Sequence, residues 1–237
     1  MCVILHFMEL VRGNEELENL NKELNDKARL HDYKAVHDGY RCALLPRMLG
    51  GFLVGCGNLF YGREPSYLKF RAVEVIARVP YHSWSSAAYT LLTVFYKNEA
   101  RALKLAGITK FARLSQDNET MHVVVISHLA ADEERPRFLL HTAVPMFFAF
   151  FYFWWSYALY LLNPRYSYEL NFLFEQHAFE QYSKFLEVSG EKLKHKKIES
   201  GFLNWYGRHP ANQYEFFRSV RNDELIHRNS SISEMQK

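Results

Sequence analysis

Two stretches of the chain set a carboxylate and an imidazole at the same spacing, Glu119-Thr120-Met121-His122 and Glu224-Leu225-Ile226-His227. Three positions on an α-helix are about one turn, so each pair shares a helix face. Val123 to Ile126, which follow the first pair, are all apolar, so that pair points where a helix buries itself. A buried carboxylate is costly unless something pairs with it, and a metal ion is one such partner. Glu-x-x-His is the spacing that carboxylate-bridged di-iron bundles use. A single pair carries little weight, because about one is expected by chance in a chain of this composition. Two further acids complete a pattern: Glu74, flanked by Val73 and Val75, and Glu175, both on helical stretches. Such sites draw one Glu from each of two helices and Glu-x-x-His from each of two others. The order here is single, pair, single, pair. The chemistry explains the set: bridging carboxylates hold two Fe ions close, hard oxygen donors suit Fe(III), and open positions admit O2.

These residues need helices to carry them, and the hydrophobic period supplies them. Tyr67 to Phe95 reads as a long helix kinked at Pro80. A second runs from Glu99 through the first pair to about Ala131, weakened but not ended by Gly107, and Asp132 to Pro136 breaks the chain. A third spans about Tyr166 to Leu193, and the last covers about Ala211 to Asn229, after a loop over Ser200 to Pro210. Upstream, Tyr33 to Tyr61 is amphipathic but interrupted by Pro46 and several glycines. Gly13 to Lys27 reads as a charged, weakly packed helical arm. No strand period or internal repeat is present. The expected fold is all-α, with an N-terminal arm over 1–32, one helical domain over 33–229, and a disordered tail over 230–237.

The totals agree with one domain and exclude some partners. At 237 residues, 23% charged and net +3, the chain has no basic patch for a nucleic acid; the Lys192 to Lys197 run reads as a solvated helix end. The aromatic share of 16% is what a membrane-facing surface or a large aromatic core requires. Cys2, Cys42 and Cys56 fit no metal spacing and read as reduced thiols. Met1 to Val11 lacks the marks of a secretory signal or an organelle transit peptide, so no targeting segment is readable. Phe138 to Leu162 bears no charged side chain and by hydropathy qualifies as a membrane-crossing helix. His141, Pro145 and the many Trp and Tyr also fit a helix lying in the interface.

Five stretches resemble the alternative oxidases: Val73 to Tyr81, Asn118 to His122, Leu161 to Arg165, Phe174 to Tyr182 and Arg221 to His227. Within them the match is closest to the plastid terminal oxidase branch, and the resemblance covers about Gly55 to Asn229. It implies a ferritin-like four-helix di-iron bundle with two additional hydrophobic membrane-surface helices, Ala35 to Phe60 and Phe138 to Leu162. Nothing then crosses the membrane, which reverses the hydropathy reading of the second. The implied activity is quinol oxidation, with plastoquinol as the expected quinol, coupled to reduction of O2 to water. The implied cofactor is two Fe ions. The implied ligands are Glu74, Glu119, His122, Glu175, Glu224 and His227. Tyr182, seven residues after Glu175, matches a tyrosine beside the iron pair that delivers an electron and a proton as the O–O bond breaks. Asn118 and Asp223 match residues that orient the two histidines through the ring nitrogen not on iron. The family's quinone pocket uses a basic residue about one turn before Glu74, which here is Lys69 or Arg71, with Ala178 nearby.

The resemblance places the chain in a plastid, on the thylakoid, with the mitochondrial inner membrane and ubiquinol as second choice. Its expected partners are the quinol, O2 and membrane lipid, with no nucleic acid, and a homodimer is admitted. Two readings from other classes stand beside it. One is a di-iron hydroxylase acting on a quinone precursor, the other a non-catalytic membrane protein whose Glu-x-x-His pairs are structural.

Overall fold

A computed structural model describes residues 15–236. Residues 15–23 are helical. Nine further helices follow: α1 (Lys27–Ala35), α2 (Leu44–Tyr61), α3 (Tyr67–Ala77), α4 (Val79–Phe95), α5 (Glu99–Glu133), α6 (Val144–Leu162), α7 (Pro164–Lys194), α8 (Gly201–Tyr206) and α9 (Gln213–Gln236). A π-helical turn, Leu139–Ala143, leads into α6, and no strand occurs among the described residues. The chain is all-α, as the periodicity implies.

Side-chain caps set the starts of the long helices. Ser66, Asn98 and Asn163 accept backbone N–H groups of Lys69, Arg101 and Arg165, and Pro164 takes the first position of α7, where a missing N–H costs nothing. Gly207, at φ 91, closes α8 in the left-handed region that favours glycine. Pro80 does more than kink its helix. It separates α3 from α4, because it sits in the first turn of α4 and its ring displaces the backbone of the preceding turn.

α3, α5, α7 and α9 carry the four predicted ligand segments and pack side by side, with α9 lying along α7. Two aromatic cores flank the ligand-bearing turns. On one side are Phe70, Met121, Val125, Tyr182, Phe185, Phe216 and Phe217. On the other are Tyr81, Trp84, Ile108, Ala112 and Tyr168. Each fully buried side chain of this size contributes about 1.5–3 kcal/mol relative to exposure. The cores therefore supply the stability against which a cluster of buried charges can be held.

Three stretches depart from expectation. The segment over 230–237 is not a disordered tail as far as Gln236, because α9 continues there. Ser231 and Ile232 face α7 and are fully buried, with Asn171 donating to Ser231 Oγ, so packing outweighs the polar composition. Ser200 to Pro210 is not a loop throughout. Ser200 caps α8, which buries Leu203 and Tyr206. The arm is not weakly packed, since Asn21 and Leu24 are buried and Asn21 reaches α9.

α2 and α6 lie together on one side of the bundle. Phe60 and Phe148 meet edge-on at 5.9 Å, and Tyr61 donates to Leu140 O. Leu49 and Leu53 pack with Tyr152, Leu159 and Leu170. Their outer sides are apolar and open: Leu44, Met48, Phe52 and Leu59 on α2, with Phe147, Phe150, Phe151, Trp154 and Trp155 on α6. The stretch Leu139–Leu162 is long and apolar enough to cross a membrane, but Pro145, Tyr152, Ser156 and Tyr160 are buried in the bundle. It presents one side to protein and the other outward.

Candidate metal centre

The bundle brings all six predicted ligands together. Glu74 comes from α3, Glu119 and His122 from α5, Glu175 from α7, and Glu224 and His227 from α9. They form two overlapping sets, Glu74, Glu119, His122 and Glu224, then Glu119, Glu175, Glu224 and His227. Within each set one ligand atom per residue lies within 4.8 Å of the others. Glu119 and Glu224 belong to both, the arrangement that two bridging carboxylates require. None of the six is more than 2% exposed.

Most of their donor atoms lack hydrogen-bond partners, although Glu74 Oε1 and Glu175 Oε1 accept from tyrosines and His227 Nδ1 lies 2.7 Å from Glu119 Oε1. Glu74 Oε2, both oxygens of Glu119 and of Glu224, His122 Nδ1 and both ring nitrogens of His227 are buried without one. Buried polar groups are otherwise nearly always satisfied, so so many orphans around one point call for a cation. The electrostatics agree. Burial raises the Glu74 carboxyl to about 7, with His122 opposing and Glu119 reinforcing. Burial, then repulsion from Glu119, Glu175 and Glu74, holds Glu224 well above the usual carboxylate range. Glu175 is raised by burial and by Glu119. For Glu119 burial pushes upward too, but His122 and His227 beside it outweigh that and leave it low. Four carboxylates face two imidazoles, and two divalent ions bring the matching positive charge. The residues fit a two-metal centre.

His122 is oriented as a ligand should be. Its Nδ1 faces Glu224 Oε1 at 3.3 Å, Glu119 Oε2 at 3.4 Å and Glu74 Oε2 at 3.6 Å. Its Nε2 lies 2.9 Å from Asp223 Oδ2, a contact that suits an Nε2–H donor and leaves Nδ1 as the atom that would face a metal. Asn118 does not reach His227. It donates to Asp223 Oδ2 at 3.2 Å and to the Tyr206 hydroxyl at 2.9 Å, because its position before Glu119 turns it toward α8. Asn118 therefore supports His122 through Asp223. No protein group among the described residues bonds His227 Nε2.

Two tyrosines bind the single glutamates crosswise. The Tyr182 hydroxyl donates to Glu74 Oε1, and the Tyr81 hydroxyl donates to Glu175 Oε1 at 2.7 Å. Asn171 also donates to Glu175 Oε1, at 3.0 Å. Tyr81 was legible in principle: it follows Glu74 by the same seven positions that separate Tyr182 from Glu175. Asn171, four positions before Glu175, carried a similar signal. Arg208, which bonds both oxygens of Asp223, had none, since it lies in a stretch read as loop.

An apolar cavity of about 110 Å³ opens between α2, α3, α6 and α7. Leu53, Val73, Ile76, Phe148, Tyr152 and Phe174 line it, and Glu74, Glu175 and Tyr182 are also in its wall. Ala178 and His177 line it as well. Lys69 does too, but its ammonium is engaged by Asn58 Oδ1, Gly62 O, Arg63 O and Gln181 Oε1, at 2.9–3.2 Å. Arg71 is absent from the wall. It donates to His141 O and Thr142 Oγ1, tying α3 to the π turn, because two positions along a helix turn a side chain to the opposite side from Lys69.

Comparison with known proteins points the same way. A family model described as alternative oxidase matches residues 14–234. The chain is similar to "Ubiquinol oxidase 4, chloroplastic/chromoplastic" of Arabidopsis thaliana, at 28% identity over 185 residues. That alignment covers 70% of this chain and 50% of the relative, so the chain spans about half the length of the curated relative it matches. No solved structure matches it.

Proposed function

The chain belongs to the alternative oxidase family, and we propose that it oxidises a quinol and reduces O2 to water at the Glu/His cluster while bound to one leaflet of a plastid membrane. The observation that carries this reading is the junction of two features. A set of orphaned ligand atoms sized for two metal ions shares Glu74 and Glu175 with the wall of an apolar cavity. Glu74, Glu119, His122, Glu175, Glu224 and His227 would hold the iron pair, with Glu119 and Glu224 shared. When bound, the irons supply an O2-binding surface and accept and pass on electrons.

The remaining work belongs to the protein. Val73, Ile76 and Phe174 give the cavity apolar walls that suit a flat quinol ring, and Glu74 and Glu175 of the cluster share that lining. Tyr182 Oη holds a proton against Glu74 Oε1, and Tyr81 Oη holds another against Glu175 Oε1. Each is placed to give or receive a proton where quinol and oxygen chemistry needs it. Asp223 keeps His122 in the metal-binding tautomer. The two aromatic cores exclude water from the cluster. By electron count two quinols are consumed for each O2.

The open aromatic faces of α2 and α6 support attachment to a leaflet, since such a surface is costly in water and Trp and Tyr favour the interface. The relative's chloroplastic name favours a plastid over a mitochondrion; plastoquinol rests on the sequence resemblance alone, since the relative's name itself says ubiquinol. Cyanide-insensitive O2 uptake by iron-replete membranes bearing this chain, faster with a plastoquinol than with a ubiquinol analogue, is the expected result. No uptake with either quinol by chain holding two irons overturns the reading, and an oxygenated organic product assigns it to the hydroxylases.

The cavity makes a separate prediction. Cys56 lines it, whereas Cys42 is buried elsewhere and burial pushes its thiol up to about 11. A quinol analogue is expected to slow maleimide labelling of Cys56 at least threefold, read by peptide mapping. An unchanged rate at saturating analogue places the quinol elsewhere.

A further inference from the structure

The two histidines at the cluster are supported unequally. His122 Nε2 is held by Asp223, and Asp223 is itself the centre of a buried network. Arg208, 5% exposed, reaches Asp223 Oδ2 at 2.5 Å and Oδ1 at 3.2 Å. Asn118 donates to Oδ2, and Asn21 donates to Oδ1 at 2.6 Å. The far side of Arg208 is taken by Glu18, whose two oxygens both lie 3.1 Å from Nε. Glu18 and Asn21 belong to the arm, 190 and 202 positions away from their partners. Asn222 clasps the arm by donating to Asn21 O and Asn25 Oδ1. His227 has no counterpart, since no protein group among the described residues bonds its Nε2.

The charges in this network give its effect a sign. An ionised Asp223 makes the His122 ring a better donor to a metal and fixes its direction. Arg208 alone would draw down that negative charge. Glu18 shares the guanidinium, so a triad of two acids and one cation leaves Asp223 strongly negative.

We propose that the N-terminal arm, through Glu18, Asn21 and Arg208, makes the His122 side of the cluster the tighter of two unequal metal positions. This rests on the two-metal reading above. Glu18, Asn21 and Arg208 are positioning residues, acting on the metal through Asp223 and His122. The cluster fills in order, with the set Glu74, Glu119, His122 and Glu224 taking the first ion. The set around His227 takes the second.

The test is a titration of the full chain, stripped of metal in detergent, with Mn(II) followed by electron paramagnetic resonance. The expected result is two ions per chain in steps about 10–100-fold apart, the range that loss of such a supporting group spans. The first step should give an isolated Mn(II) spectrum and the second a spin-coupled pair. Glu18→Gln and Asn21→Ala are expected to weaken the first step and leave the second unchanged, with helix content by circular dichroism unaltered. Glu18→Asp, which keeps the charge, should recover part of the loss. Two equal steps, or variants that weaken both steps alike, overturn the proposal while the two-metal reading stands. A folded chain that binds no Mn(II) overturns both.

Discussion

Glu119→Ala is expected to abolish quinol oxidation, with a loss beyond the roughly 100-fold that removal of a mere supporting residue causes. The reason is geometric. Glu119 is one of two residues that belong to both ligand sets, so its loss opens both metal positions together. Iron per chain should fall well below two, and circular dichroism should show the helices intact. Folding tolerates the change because Glu119 is one of the charges that raise Glu74, Glu175 and Glu224, and removing it relieves that repulsion. The two aromatic cores are untouched. Substantial turnover in this variant would take Glu119 out of the site.

Tyr182→Phe should lower kcat by about 10²–10⁴, the share that a positioned proton donor contributes, with iron content and KM for quinol close to the parent. The substitution removes one oxygen and little else. The ring stays stacked on Phe70 at 4.1 Å and packed against Phe217. What is lost is the hydroxyl donated to Glu74 Oε1, which no other side chain is seen to replace among the described residues. Tyr81→Phe is the informative companion. Glu175 keeps the Asn171 donor in that variant, so its loss should be smaller than that of Tyr182→Phe. A Tyr182→Phe enzyme within threefold of the parent removes the phenol from proton transfer.

The centre of this protein was legible in its residues because its chemistry is local. Glu119 with His122, and Glu224 with His227, share a helix face by spacing alone, and an acid such as Glu74 between valines stands out against its surroundings. The order of four such segments on four helices then restricts the fold to one that lets them converge. What surrounds the centre is not local, and there the sequence reading was uneven. Asp223 could be picked out because it adjoins a ligand. Arg71 could be told from Lys69 only once the helix was rotated into place against α2 and α7. Arg208 looked like a loop residue, and the arm looked like a solvated appendage. Polar character was a poor guide there because buried Asn21 and Arg208 satisfy one another's neighbours instead of water.

The amino-acid sequence by itself determined an all-α chain and the six residues that gather at its centre. Spacing on a helix and the cost of burying charge are enough to specify those. Tertiary structure alone decided that Asn118 serves His122 rather than His227, that Tyr81 crosses to Glu175, and that α9 runs on past its polar end. It also decided that residues 190 positions apart join in one network behind a single histidine. Those outcomes depend on which helix faces which, a matter of packing between distant segments that no local pattern encodes.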